Sequence, residues 1–146
     1  MEVAASSVVL LPYTPSSVGV ARSRLIADLM SAGIFETAVG DAALVVSELL
    51  SNALRHASPL PGAKVRVAWV LDGSALQVAV SDGGGLTIPR RTQAPQSAAG
   101  GRGLGIVENL SRRWGIRSDE RETTVWAVLS APQANGSSVG RVPSVS

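Results

Sequence analysis

The segment Ser47–Ala57, S-E-L-L-S-N-A-L-R-H-A, places the tightest constraint on how this chain can fold. Glu48, Asn52 and His56 recur every four residues, so a helix would carry all three side chains on one face. The broad opposite side is apolar and contains Val46, Leu49, Leu50, Ala53, Leu54 and Ala57. The pattern predicts a helix over Ala38–Ala57 that packs its apolar side on a core and turns a narrow polar stripe outward.

The composition is typical of a single globular domain. The 146 residues are 45% apolar and 16% charged, which is sufficient for a core and unlike a disordered chain. The absence of cysteine excludes a disulfide framework and a thiol nucleophile, and the single histidine excludes a multi-histidine metal site. The net charge is only +2 and no basic stripe is present, so we expect no direct nucleic-acid partner.

The sequence also predicts the location and the domain limits. No apolar stretch has the length needed to span a bilayer, and the N-terminal segment lacks the positive region of a signal peptide. We therefore expect no membrane association and a cytoplasmic location. Residues 1–131 are predicted to form one domain, and the small and polar residues of 132–146 are predicted to form a disordered tail.

Helical and strand periods divide the predicted domain. Val8–Leu11 predicts a first strand, and Ser16 or Ser17 is placed to cap a helix over Val18–Ala32. After the second helix the apolar period changes from 3.6 to 2, and the turn signal Asp72-Gly73 predicts an antiparallel hairpin over 64–80. The remaining elements are expected at Leu104–Arg113, a helix, and at Trp114–Arg117 and Thr123–Leu129, two strands.

Asp82 follows an apolar row on the second strand of the hairpin, formed by Leu76, Val78 and Val80. If that row faces the core, the carboxylate lies at the rim of the core and needs a hydrogen-bonding partner. The exocyclic amine of adenine is one such partner, and Gly83–Gly85 would let the backbone approach a flat ring. The alternative, which the strand pattern alone favours, is that the strand has ended and Asp82 caps a turn.

A glycine-rich segment, Gly100–Val107, runs directly into the third predicted helix. Its backbone amides and the helix N-terminus can form an anion site, to which Arg102 adds a charge. The spacing matches neither the dinucleotide fingerprint nor a Walker A loop, and a flexible connector is an equal alternative. The preceding loop, residues 87–100, carries two prolines and no periodicity, and loops of this kind often serve as functional lids.

Each of these features has a structural explanation when taken alone, because solvated glutamates and glycine-rich connectors are common. Their order is more informative. A polar helical stripe is followed by a strand ending in Asp-x-Gly, a long loop, a glycine turn entering a helix, and a closing strand that begins Thr123-Thr124. A magnesium nucleotide would use all of these features together.

In this order the motifs resemble the GHKL superfamily of ATPases and kinases, and most closely its bacterial anti-sigma factor serine/threonine kinases. L-V-V-S-E-L-L-S-N-A-L-R-H-A is similar to the N box of that family, and V-A-V-S-D-G-G-G and G-G-R-G-L-G-I-V-E-N-L are similar to its two glycine boxes. The resemblance covers residues 8–130. It implies the Bergerat ATP-binding fold, an α/β two-layer sandwich with helices on one face of a mixed, mainly antiparallel sheet.

The resemblance also implies a role for each matching residue. Glu48 would be the general base, and Asn52 would be the ligand of Mg²⁺. Asp82 would accept a hydrogen bond from the adenine amine, while Gly84 lines the base pocket and Thr124 supports Asp82. The phosphates of ATP would be held by Gly101, Arg102, Gly103 and Gly105.

Two functions follow from the resemblance as alternatives. The first is an ATP-binding anti-sigma regulatory factor that phosphorylates a serine of an anti-sigma factor antagonist, binds a sigma factor and forms a homodimer. The second is a catalytically weak, nucleotide-dependent module that sequesters a sigma factor or another regulatory partner. The presence of Glu48 favours the enzyme. A histidine-kinase fragment is disfavoured, because no dimerisation helix with a phosphoacceptor histidine precedes the motifs.

Overall fold

The computed structural model describes residues 3–84 and 104–134, which form a two-layer α/β sandwich. Its elements are β1 Val3–Pro12, α1 Ser16–Ser31, α2 Glu36–His56, β2 Lys64–Asp72, β3 Ala75–Asp82, α3 Leu104–Leu110, β4 Arg113–Ser118 and β5 Thr123–Ser130. The described strands form one sheet in the order β1-β2-β3-β5-β4, with every neighbouring pair antiparallel. The predicted sandwich and the predicted β2–β3 hairpin are confirmed.

The core lies between one face of this sheet and the helices. Alternate residues of β2 and β3 are buried, as the period of two requires. They meet the apolar side of α2, which packs against α1, β3, α3 and β5. The largest fully buried side chains of the core include Trp69, Leu25, Leu29, Leu49, Leu50, Leu71, Leu76 and Leu129.

Among the described helices, α2 alone is long and apolar enough to cross a membrane by length and composition. Its apolar side is taken up by the core, where Val45, Val46, Leu49 and Leu50 are at most 1% exposed. A central core helix of a folded domain passes the same test of composition. We therefore interpret α2 as the core helix that the sequence pattern predicts.

Two element boundaries differ from the prediction. β1 begins at Val3 rather than Val8, because residues 5–7 pair with 69–71 of β2. α1 has no side-chain cap: the residue at its N-cap is Pro15, and the Ser17 hydroxyl instead donates to the Pro12 carbonyl at 2.6 Å. The predicted serine cap is therefore wrong, since that hydroxyl is used to tie the helix to the end of β1.

The third helix and the end of the domain also differ. α3 ends at Leu110, and Arg113 already belongs to β4. Contacts continue past residue 131, because Pro132 accepts a hydrogen bond from the Phe35 N–H at 2.9 Å and Gly33 accepts one from the Ala134 N–H at 2.8 Å. The rest of the predicted tail, residues 135–146, and the predicted lid, residues 87–100, lie outside the described residues.

Candidate functional site

The polar stripe lies on the helix that joins the other predicted parts of the site. Glu48 and Asn52 are half-buried on α2, and His56 is exposed at its last position. α2 packs against β3, which ends in Asp82, and against α3, which follows the glycine-rich segment. The structure thus brings α2, which bears the polar stripe, into contact with β3 and with α3.

Asp82 satisfies both interpretations of its sequence context. It continues the core-facing row of β3 and is only 4% exposed. It also closes a turn, because its Oδ1 accepts the Gly84 N–H at 2.7 Å. Burial raises the pKa of this carboxyl to about 6, and the negative charge of Glu122 adds to the increase while the Gly84 hydrogen bond opposes it. A carboxylate has two acceptor oxygens, so Oδ2 could accept a hydrogen bond from a ligand amine.

The backbone after Asp82 is fastened to the backbone after α2. Both the N–H and the hydroxyl of Ser58 donate to the Gly84 carbonyl, the N–H at 2.8 Å, and the Gly83 N–H donates to the Ser58 carbonyl at 2.8 Å. A Cβ on Gly83 would lie 2.2 Å from the Pro59 carbonyl oxygen, so only glycine permits this approach. We call Ser58, Pro59, Gly83 and Gly84 the α2–β3 clasp.

Gly84 itself adopts a φ of +85°, in the left-handed region that favours glycine. This conformation fixes the turn that holds the Asp82 carboxylate, together with the hydrogen bonds that the Gly84 carbonyl accepts from Ser58. Gly83 and Gly84 were predicted to allow close approach to a ring. In the described structure, the glycine at 83 is required by the approach of the chain itself.

The strand register separates the two candidate threonines. Thr123 pairs with Asp82 and lies on the same sheet face, whereas Thr124 pairs with Ser81 on the opposite face. The Thr124 hydroxyl is hydrogen-bonded to Ser81 Oγ at 2.6 Å. The register therefore places Thr123, and not the predicted Thr124, where it could support Asp82. The alternation of Thr123, Val125, Ala127 and Leu129 was the sequence signal for this assignment.

The glycine-rich segment is described only from its helical end. Gly101, Arg102 and Gly103 lie outside the described residues, while Gly105 lies in the first turn of α3. A Cβ on Gly105 would meet no atom within 4 Å, so packing in the described structure does not require a glycine there. Val107 anchors α3 in the core and is fully buried.

The donor set on α2 fits a magnesium ion that is shared with a phosphate chain. Within residues 3–84 and 104–134, no group of three or more histidine or acidic side chains could enclose a metal ion. Mg²⁺ commonly keeps several waters and takes one or two protein oxygens in addition to phosphate oxygens. The amide oxygen of Asn52, one turn from the Glu48 carboxylate, suits this mode of binding.

Comparison with known protein families identifies this arrangement. The model of the histidine kinase-like ATPase domain matches residues 11–129. The chain belongs to this family. The GHKL resemblance of its motifs is thereby confirmed, and ATP binding is the property that membership in the histidine kinase-like ATPase family implies.

One solved structure with the same fold contains the RsbU and RsbW domains of Rv1364c from Mycobacterium tuberculosis. The superposition has a TM-score of 0.68 at 20% sequence identity, and it covers 87% of this chain. This chain spans only 32% of the length of that one. A search of curated protein sequences finds no match.

Proposed function

We propose that this chain is an ATP-dependent serine/threonine protein kinase of the anti-sigma factor type, acting in the cytoplasm. The proposal is carried by one observation: the buried Asp82 carboxylate ends a strand that packs directly against the helix bearing Glu48 and Asn52. The likeness of the fold to a structure that contains an RsbW domain supports the anti-sigma assignment.

In the proposed reaction, Asp82 accepts a hydrogen bond from the adenine amine and Gly84 lines the base pocket. Asn52 supplies an oxygen to Mg²⁺, which neutralises charge on the phosphates when it is bound. Glu48 accepts the proton of a serine hydroxyl on the antagonist protein while the serine oxygen bonds to the γ-phosphorus. The bond from the γ-phosphorus to the bridging oxygen breaks, and ADP leaves.

The proposed partners are an anti-sigma factor antagonist, which accepts the phosphoryl group, and a sigma factor. We also propose that the chain forms a homodimer. Support for the homodimer comes from the sheet face on which none of the described helices packs, where Val8 and Leu10 are 70% and 54% exposed. Apolar surface of this kind commonly marks a contact with another protein.

A Glu48→Ala variant tests the kinase activity. Transfer of the γ-phosphoryl group of labelled ATP to a serine of a recombinant antagonist from the same genome should fall at least about 100-fold, since a general base contributes about 10²–10⁴ in rate. Binding of Mg-ATP, measured as a shift in melting temperature, should be retained.

The matched control is Glu36→Ala, which removes an exposed acid from the first turn of the same helix. It should leave transfer unchanged. Equal transfer by Glu48→Ala and the wild-type chain would contradict the proposed base. If the wild-type chain shows nucleotide-dependent partner binding without transfer, the binding-module alternative is correct.

A further inference from the structure

Tyr13 lies where the end of β1 meets the end of α2, and no sequence motif draws attention to it. It follows directly after β1, and its N–H donates to the Ala63 carbonyl at 2.9 Å in the connection before β2. Its ring is half-buried and packs against the hydrophobic core. The residue is therefore fixed at its backbone and at its ring.

The hydroxyl of Tyr13 reaches the last turn of α2. It donates to the Ala53 carbonyl at 2.8 Å and is also within hydrogen-bonding distance of the Ala57 carbonyl. α2 ends in an extended Ala57 without a glycine to close it. The Ala57 N–H donates to the Ala53 carbonyl at 3.1 Å, and the phenol adds a second donor to that carbonyl. The phenol thus caps the C-terminus of α2 from a strand that is distant in sequence.

This cap is directly connected to the base pocket. The residue after Ala57 is Ser58, whose N–H and hydroxyl hold the Gly84 carbonyl. Asp82 is close enough for its negative charge to raise the pKa of the Tyr13 phenol, although burial is the larger cause. Tyr13 therefore holds the end of α2 at Ala57, and the next residue, Ser58, holds the turn after β3 at Gly84.

We propose that Tyr13, together with Ser58, is a positioning residue that holds the Asp82–Gly84 base pocket at a fixed place relative to the Glu48–Asn52 stripe on α2. A nucleotide that spans both sites gains from this fixed spacing, whereas a nucleoside that occupies only the base pocket does not. The inference rests on the proposed assignment of these two sites to ATP.

The experiment compares the affinities of Mg-ATP and adenosine by calorimetry for the wild-type chain and for Tyr13→Phe, which keeps the ring and removes the hydroxyl. The preference for ATP over adenosine should fall about fivefold, as expected for the loss of one hydrogen bond. Ser58→Ala should lower the ratio of ATP affinity to adenosine affinity as well. Ser58 is exposed, so this variant leaves the side chains of the core unchanged.

The matched control is Ser17→Ala, which also removes a hydroxyl that donates to a backbone carbonyl, but at the start of α1. It should lower the melting temperature and leave the ratio of affinities unchanged. An unchanged ratio in both Tyr13→Phe and Ser58→Ala, or an equal fall in Ser17→Ala, would overturn the inference. If the wild-type chain bound adenosine and ATP equally, or bound neither, the proposed function itself would fail.

Discussion

Asp82 is an acid in an apolar row, and its burial has a cost that depends on pH. The pKa of its carboxyl rises from 3.8 to about 6 in the folded chain, with burial as the main cause. Between these two values the folded state retains a proton that the unfolded state releases. Folding stability therefore falls as the pH rises through this interval, and above about pH 6 the cost of the buried charge is complete.

We expect Asp82→Asn to remove this cost. The amide keeps an oxygen that can accept the Gly84 N–H, but it carries no charge to bury. At pH 7.5 the variant should be more stable by about 1–3 kcal/mol, and the difference should shrink towards zero near pH 4. Urea unfolding between pH 4 and pH 8 measures this. A stability difference that is constant across the range would show that the carboxylate is not the cause.

The same comparison separates stability from function at this residue. If Asp82 is retained to bind the adenine amine, the more stable Asp82→Asn variant should bind adenosine more weakly. The sequence showed that Asp82 continues the apolar row of β3, because a period of two is readable along a strand, and the structure shows that this row faces the core. The same period separates Thr123 from Thr124, but which of the two faces Asp82 depends on the register with β3, which pairs Asp82 with Thr123.

At the scale of the elements, periodicity predicted the helices and strands that have one clearly apolar side and one clearly polar side. α2 and the β2–β3 hairpin have strongly segregated apolar residues, and both are found where expected. Residues 4–7 of β1 are alanines and serines, which carry no strand pattern of their own. It is a strand because β2 offers a hydrogen-bonding partner along its whole length. The α2–β3 clasp has the same origin, because only the fold brings Ser58 to Gly84.

The clasp predicts a large effect of a single methyl group. Gly83→Ala would place a Cβ 2.2 Å from the Pro59 carbonyl oxygen. The backbone fixes the position of the Cβ and the oxygen belongs to the backbone, so no side-chain rotation can relieve the clash. We expect a loss of about 1–3 kcal/mol in the free energy of unfolding. Binding of ATP should weaken as well, because the same shift displaces Asp82 and Gly84. Denaturant unfolding and calorimetry measure the two effects.

The matched substitution is Gly19→Ala in α1, where a Cβ would meet no atom within 4 Å. It should stabilise the chain by about 0.5–1 kcal/mol, because alanine favours the helix, and it should leave ATP affinity unchanged. A Gly83→Ala variant as stable as the wild-type chain would show that the α2–β3 clasp can open without cost.

At the scale of the whole molecule, the sheet has two unlike faces. The described helices pack on the face that carries Val65, Val67 and Trp69, and the other face carries no helix from the described residues. On that open face Val8, Leu10 and Val70 are 70%, 54% and 39% exposed. One face of an antiparallel sheet can meet water, but it then usually carries polar residues. Contact with another protein better explains why these three exposed residues on β1 and β2 are apolar.

The proposed homodimer would cover this face and predicts a mass of two chains in solution. Leu10→Glu should yield a monomer, because an acid at the centre of an apolar contact would lose its hydration without gaining a partner. The matched control is Val20→Glu on α1, where the valine is 42% exposed and lies in the helical layer. Light scattering of both variants, each saturated with Mg-ATP, distinguishes the outcomes. A Leu10→Glu dimer would place the contact elsewhere, and a wild-type monomer would mean that another protein covers the open face, for which the sigma factor is the first partner to test.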